Sequence, residues 1–284
     1  MSAGAQAVLE RIECLSLPIA RLSAAVYTRS VLDRFSSRIF LGHAQRRLFL
    51  QGIPVLVYHG IQSVPPAACD PFLYVKPAKF DAQLGALRGT GFQSATLDEI
   101  GVSGSDLSKK IVITFDDGRT SVFENAMEPL ARHGFRAIQF IVADRVGRTN
   151  EWDTVHGHVA EPLMDAVQIR EWLAAGHEIG SHSMTHRNLT KLTETDARGQ
   201  IFDSRKRLED QFGIEVRHFC YPHGKWNERV RDLVAEAGYS TACTTRFGVN
   251  TTTTPRFQLS RIPALTGQEL IMKTADRLRK KLGI

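Results

Sequence analysis

The chain has 284 residues, 43% hydrophobic and 23% charged, enough for one large domain with its own core. A net charge of +6 and a pI near 9.3 favour anionic surroundings, such as a membrane surface, but fall far short of a nucleic-acid signature, and no RNA or DNA motif is present. Residues 1–20 carry Glu10 and Glu13 and no sustained apolar run after a basic start, so neither a signal peptide nor a membrane span is expected.

Residues 1–50 read as a helical extension. Leu9, Ile12, Leu17, Leu22, Val26, Leu32, Phe35 and Ile39 recur at roughly helical intervals. Between residues 18 and 50 stand six arginines and one acid, Asp33. Two readings stay open: helices packed on the following domain with a solvated basic face, or a basic amphipathic segment lying on an anionic membrane. Residues 51–284 read as a second unit, the main domain. Val55-Leu56-Val57-Tyr58, preceded by Pro54, is the first strand, and it ends at His59-Gly60. A histidine at a strand end is either a hydrogen-bonded structural residue or a site residue. A helix is expected from about Ala78 to Arg88, then a short strand, a small helix near Asp98 and a Ser/Gly loop.

The apolar run Ile111-Val112-Ile113-Thr114-Phe115 stops at Asp116-Asp117-Gly118. It reads as a buried strand ending at the rim of a site, where the turning backbone lets two carboxylates converge. A helix follows over Thr120–His133 with Gly134 as its stop, then a strand over Ala137–Val142. The polar loop from about Asp144 to Asp165 carries Trp152, Asp153, His156 and His158. Loops of this length inside a compact fold tend to be functional. An aromatic beside polar groups suits stacking on a sugar face, so Trp152 and Asp153 are candidate substrate-binding residues; the alternative is that Trp152 simply plugs the fold. His156 and His158 read as ordinary loop residues.

Gln168–Ala175 is expected to be helical and His177–Gly180 a strand, leading into His182-Ser183-Met184-Thr185-His186. On a helical turn, two histidines four apart lie on one face and can share a metal. Two imidazoles and a carboxylate suit a divalent transition metal with open positions, zinc by default and other first-row ions remaining open. A helix from Thr193 to about Phe212 precedes a strand over Val216–Cys220, which ends at Tyr221-Pro222-His223-Gly224. Asn227 caps a helix closed by Gly238; short strands follow at Ser240–Cys243 and Leu259–Pro263, and the tail is basic. The alternation of strands and helices predicts a parallel α/β fold. Cys14, Cys69, Cys220 and Cys243 are scattered, with two of them in strand-like runs, so reduced thiols and a cytoplasmic setting are expected; the basic ends of the chain add the expectation of peripheral contact with the inner face of a membrane.

Thr114-Phe115-Asp116-Asp117-Gly118 followed by His182-Ser183-Met184-Thr185-His186 resembles the first two motifs of the NodB-type polysaccharide deacetylases, carbohydrate esterase family 4; Phe219-Cys220-Tyr221-Pro222-His223-Gly224 resembles a third in weaker form. The resemblance runs from about Pro54 to about Pro263. It implies a distorted (β/α) barrel with fewer than eight strands and a metal-dependent hydrolysis of acetyl groups from N-acetylated sugars. It implies Asp117, His182 and His186 as metal ligands, Asp116 as general base, and the backbone amide of His223 as oxyanion donor. Tyr221, Pro222 and Gly224 would then line the substrate, Gly224 by permitting a close approach.

Two departures stand out. The family often has an arginine two residues before the motif proline, orienting the base; here Cys220 stands there, and Arg217 or Arg261 is the substitute, with Arg261 also a candidate for substrate contact. The family's late Leu-x-x-His is also missing, since no histidine follows His223. His59 is the first candidate for the general acid and His223 the second. Two other functions remain in view: an amidase of the same fold acting on a small non-sugar amide, and an inactive carbohydrate-binding relative.

Overall fold

The computed structural model describes residues 47–65, 68, 70–101, 108–156 and 159–264; the expectations for residues 1–46, for Cys14 and Cys69, for His158 and for the basic tail lie outside these. Its frame is a curled, all-parallel sheet. The strands are β1 (Val55–Tyr58), β2 (Gln93–Ser94), β3 (Lys110–Phe115), β4 (Ile138–Ile141), β5 (Glu178–Ser181), β6 (His218–Cys220), β7 (Thr241–Cys243) and β8 (Ile262–Pro263). Seven of them run in the order β7-β6-β5-β4-β3-β1-β8, and the two-residue β2 pairs with β3 beside this path. A parallel bridge between Cys243 and Leu259 links the far end of β7 to the segment that leads into β8. This curled half-barrel matches the distorted barrel expected from the sequence.

Apart from the two-residue β2, the strands are largely buried on both sides, which is why they read as apolar runs rather than alternations. Val55, Val112, Ile138, Phe140, Cys220, Cys243 and Leu259 form one cluster inside the curl. Leu56, Tyr58, Ile111, Ile113, Phe115, Ile141 and Phe219 belong to the larger cluster under the helices. These two periodic faces set the register: Val55 pairs with Val112 and Tyr58 with Phe115, so β1 and β3 end level with each other.

The helices are α1 (Pro77–Gly89), α2 (Thr120–His133), α3 (Ala166–Ala174), α4 (Glu194–Phe212) and α5 (Glu228–Glu236). Their ends follow local chemistry. Gly134 and Gly213, both at φ +67, close α2 and α4 in the left-handed conformation that costs glycine little. Thr193 Oγ1 accepts from Asp196 N at 3.2 Å and Asn227 Oδ1 from Val230 N at 2.9 Å, capping α4 and α5. Helix α3 starts two residues before the expected Gln168 because Asp165 forms a reciprocal capping box with it. Residues 47–49 make one helical turn, and Phe49 packs edge-on against Phe92 within the core.

Candidate active site

The carboxyl ends of the strands converge on one rim. Strand β3 delivers Asp116 and Asp117, β5 delivers His182 and the turn to His186, β6 delivers Cys220 and the His223 turn, and β1 delivers His59. The backbone there is bent into unusual shapes. Among the described residues five non-glycines have positive φ, and four of them are Asp117, Ser183, His186 and His223. Side chains resist this conformation, so it persists only where surrounding contacts impose it.

The expected helical turn from His182 to His186 is a non-helical turn. Ser183 (φ +67) and His186 (φ +62) break the helix. Tertiary hydrogen bonds hold that shape: Ala143 N donates to Ser183 O at 3.1 Å, Asp144 N to Met184 O at 2.9 Å and Met184 N to Gln200 O at 3.0 Å. The two imidazoles still converge. His182 Nε2 lies 3.7 Å and His186 Nε2 3.5 Å from Asp117 Oδ1.

His182 Nδ1 stands 2.8 Å from the Cys220 carbonyl. A carbonyl only accepts, so Nδ1 carries the proton and Nε2 presents a lone pair toward Asp117. A nitrogen lone pair and a carboxylate oxygen face each other with no proton between them, an arrangement that a cation relieves. The ligand atoms of Asp117, His182 and His186 all lie within 4.8 Å of one another and are buried. These residues fit a divalent transition metal by donor type and by placement. Asp116, His182 and Cys220 also cluster within 4.8 Å. Arg261 excludes a cation there: Nη1 and Nη2 donate to Asp116 Oδ1 and Oδ2 at 2.7 Å each, and Nη2 reaches Cys220 Sγ at 3.1 Å.

Arg261 therefore stands where the motif arginine was missing, and Arg217 does not, since Arg217 pairs with Asp98 at 2.9 Å near the opposite end of the sheet. The small Cys220 side chain leaves the room. Arg261 is 1% exposed and fully engaged inside the curl, which removes it from the substrate-contacting role it was also given. Burial alone would raise the Asp116 pKa; the Arg261 charge and its two hydrogen bonds outweigh that and hold it down at about 2. Burial likewise works against Asp117, and the neighbouring Arg119 charge outweighs it, so Asp117 is also held well below the usual carboxylate range.

The remaining candidates are placed as follows. His59 Nε2 lies 3.9 Å from Asp116 Oδ2, and burial lowers its pKa. His223 is exposed, with its ring 4.5 Å from the His186 ring. Trp152 packs its ring 4.4 Å from that of His186 and is partly open to solvent. Asp153 accepts from Asn150 Nδ2 at 2.7 Å and lies 3.6 Å from Arg119 Nη2. Tyr221 is buried completely and donates to the Phe257 carbonyl at 3.1 Å, and Pro222 is buried beside it, so neither side chain is open to a substrate. Gly224 does permit a close approach, but by Thr245: a Cβ there would fall 2.1 Å from Thr245 Oγ1.

Sequence reasoning missed Arg119, Glu161 and Tyr74. Arg119 is 1% exposed and donates through Nε to Asp117 Oδ2 at 3.2 Å. It also ion-pairs with Glu161 and donates to the Tyr74 hydroxyl at 3.0 Å. Its position directly after Asp-Asp-Gly was the available signal; Tyr74 and Glu161 offered none.

Comparison with known proteins places this arrangement. The family model for polysaccharide deacetylase matches residues 103–242, which contain both carboxylates and both histidines. The Bacillus subtilis protein YxkH, named for a polysaccharide deacetylase, is 27% identical over 222 residues, covering 76% of this chain and 73% of YxkH. The peptidoglycan-N-acetylglucosamine deacetylase PgdA of Listeria monocytogenes is 29% identical over 128 residues, 45% of this chain but only 24% of PgdA. The crystal structure of BA0330 from Bacillus anthracis, described as a polysaccharide deacetylase, superposes with a TM-score of 0.64 at 26% identity, covering 75% of this chain and 65% of that one. With both motifs at one rim of the same fold, the chain resembles the polysaccharide deacetylases, carbohydrate esterase family 4, across the half of its length that holds the site.

Proposed function

We propose that the protein is a metal-dependent N-deacetylase that removes acetyl groups from N-acetylglucosamine-type residues of a polysaccharide or of its lipid-linked precursor. The observation that carries this reading is the convergence of Asp117, His182 and His186 beside a carboxylate, Asp116, that is anchored by Arg261 rather than by a ligand role. The match to the polysaccharide deacetylase model supports the reaction class, and the name of PgdA supports an N-acetylglucosamine substrate.

Asp117, His182 and His186 would hold the cation. When bound, a divalent cation, zinc by default for this donor set, polarises the acetyl carbonyl and acidifies a neighbouring water. The chain supplies the proton traffic. Asp116 is ionised throughout the neutral range and takes the proton from the attacking water. Both of its oxygens accept from Arg261, and Oδ2 also faces His59 at 3.9 Å. Burial keeps His59 neutral near pH 7, so it acts as an acid only after receiving a proton. Asp116 is placed to pass that proton on, and His59 then gives it to the leaving amine nitrogen as acetate departs. His223 is the second candidate for that last step. Trp152, beside His186 and open to solvent, offers a face on which a sugar ring stacks.

The test is free-amine release from N-acetylglucosamine oligomers with and without a chelator. The reading expects release that the chelator stops and added zinc restores. No release from any oligomer by protein that carries a stoichiometric cation would refute it.

A further inference from the structure

Arg119 is surrounded by more negative charge than it can neutralise. Its guanidinium lies 3.2 Å from Asp117 Oδ2 and 3.6 Å from Asp153 Oδ2, and it ion-pairs with Glu161. Three carboxylates share one guanidinium in a buried place. Glu161 is 6% exposed and belongs to the loop between β4 and α3. Its partners are Arg119, Tyr74, whose hydroxyl donates to Oε1 at 2.5 Å, and Asn150 Oδ1, which accepts from the Glu161 backbone N–H. None of these is a candidate metal ligand. The loop is also tied back to the carboxylate turn, because Met164 N donates to Gly118 O at 2.7 Å.

The consequence concerns Asp117. Three carboxylates draw on one positive charge, so removing one of them leaves more of that charge directed at Asp117, whose attraction for a cation then falls. A carboxylate whose guanidinium is already claimed by a second acid keeps its charge available, while the guanidinium still fixes its orientation. We propose that Glu161 is a positioning residue that sets the cation affinity of the Asp117–His182–His186 triad by acting through Arg119. This rests on the metal-site reading above and extends it to a residue on a different loop. Orienting partners one step removed from a metal typically change its affinity 10- to 100-fold.

The test is the zinc dissociation constant of the full chain, measured by competition with a chromophoric chelator, for wild type, Glu161→Gln, Arg119→Gln and the double variant. Glu161→Gln keeps the shape but removes the charge that occupies Arg119, and zinc binding should weaken by roughly tenfold or more. In the double variant the guanidinium that Glu161 occupies is gone as well, so Glu161→Gln should weaken zinc binding much less in the Arg119→Gln background than in the wild-type background, a coupling that independent sites do not show. Zinc bound by Glu161→Gln within about twofold of wild type overturns the proposal, and so does a double variant whose loss equals the product of the two single losses. If Glu161→Gln fails to fold, Glu161→Asp decides instead: it keeps the charge but withdraws it from Arg119, and binding weakened by at least roughly threefold supports the proposal while unchanged binding overturns it. A wild type that binds no zinc at this triad refutes the site reading and this proposal together. A wild type that binds zinc no better than Glu161→Gln refutes the proposal alone.

Discussion

At the carboxyl rim of the sheet His186 Nε2 stands 3.5 Å from an Asp117 oxygen; at the opposite end His218 Nε2 stands 3.5 Å from a Glu178 oxygen and 3.7 Å from Asp98. Both histidines are buried, and each leaves one ring nitrogen without a hydrogen bond. By distance and by burial of the histidine the two places look alike, although Asp117 is buried while Glu178 and Asp98 are partly open to solvent. They differ in what else is present. At the lower end Arg217 donates to the same Asp98 oxygen at 2.9 Å, so the carboxylate already has its cation. There His218 begins β6 and Glu178 begins β5 in ordinary strand backbone. At the rim a second histidine completes a three-ligand set, its tautomer is fixed by the Cys220 carbonyl, and four residues accept left-handed backbone to bring the groups together. Proximity of histidine and acid therefore does not mark a site. Convergence of three donors at the expense of backbone comfort does.

That contrast can be broken, and the largest effect should come from the rim. Asp117→Ala, His182→Ala and His186→Ala should each abolish cation binding and reduce amine release to background, read by metal analysis of the purified variants. Full cation occupancy in His182→Ala would contradict the ligand assignment. Asp116→Asn should keep the cation and lose on the order of 10²–10⁴ in rate, because the water then lacks its base. If Asp116→Asn loses the cation while Asp117→Asn keeps it, the two carboxylate roles are exchanged.

Arg261→Ala should act on both stability and rate. It strands the buried Asp116 carboxylate, a kind of change that costs roughly 3–5 kcal/mol, visible as a lower denaturant midpoint. The same ion pair fixes a pH window. The folded pKa of Asp116, about 2, lies below its ordinary 3.8, so its stabilising contribution is present above pH 4 and is lost as pH falls through about 2. Acid titration of unfolding should show that loss in wild type and a smaller one in Arg261→Ala. At the other end of the sheet, His218→Gln should lower the melting temperature by only about 2–4 °C per kcal/mol lost and leave amine release within about twofold of wild type. A large drop in turnover there would erase the distinction between the two ends.

Much of the frame was legible because it rests on local periodicity. The apolar run into Asp116-Asp117 needs a strand covered on both faces, and Gly134 and Asn227 mark helix ends by their own chemistry. The spacing of His182 and His186 suggests a helical turn because nothing in its five residues announces positive φ at Ser183 and His186; hydrogen bonds donated by Ala143 N and Asp144 N and accepted by the Gln200 carbonyl impose it. Arg261 and Arg217 could not be told apart, since the contact from Arg261 to Asp116 spans 145 residues. Tyr221 and Pro222 were assigned to substrate from their place in a motif, which says nothing of burial. Glu161 lies 42 residues from Arg119, and a lone acid in a polar loop carries no local mark of its partner.

The most direct test of the account is a crystal structure of the protein grown with zinc and measured at the zinc absorption edge. The account predicts one strong anomalous peak within bonding distance of Asp117, His182 and His186, with Asp116 still paired to Arg261 and no peak beside His218. A peak at His218 and Asp98 with none at the rim, or a cation bound through Asp116 with Arg261 displaced, would contradict it.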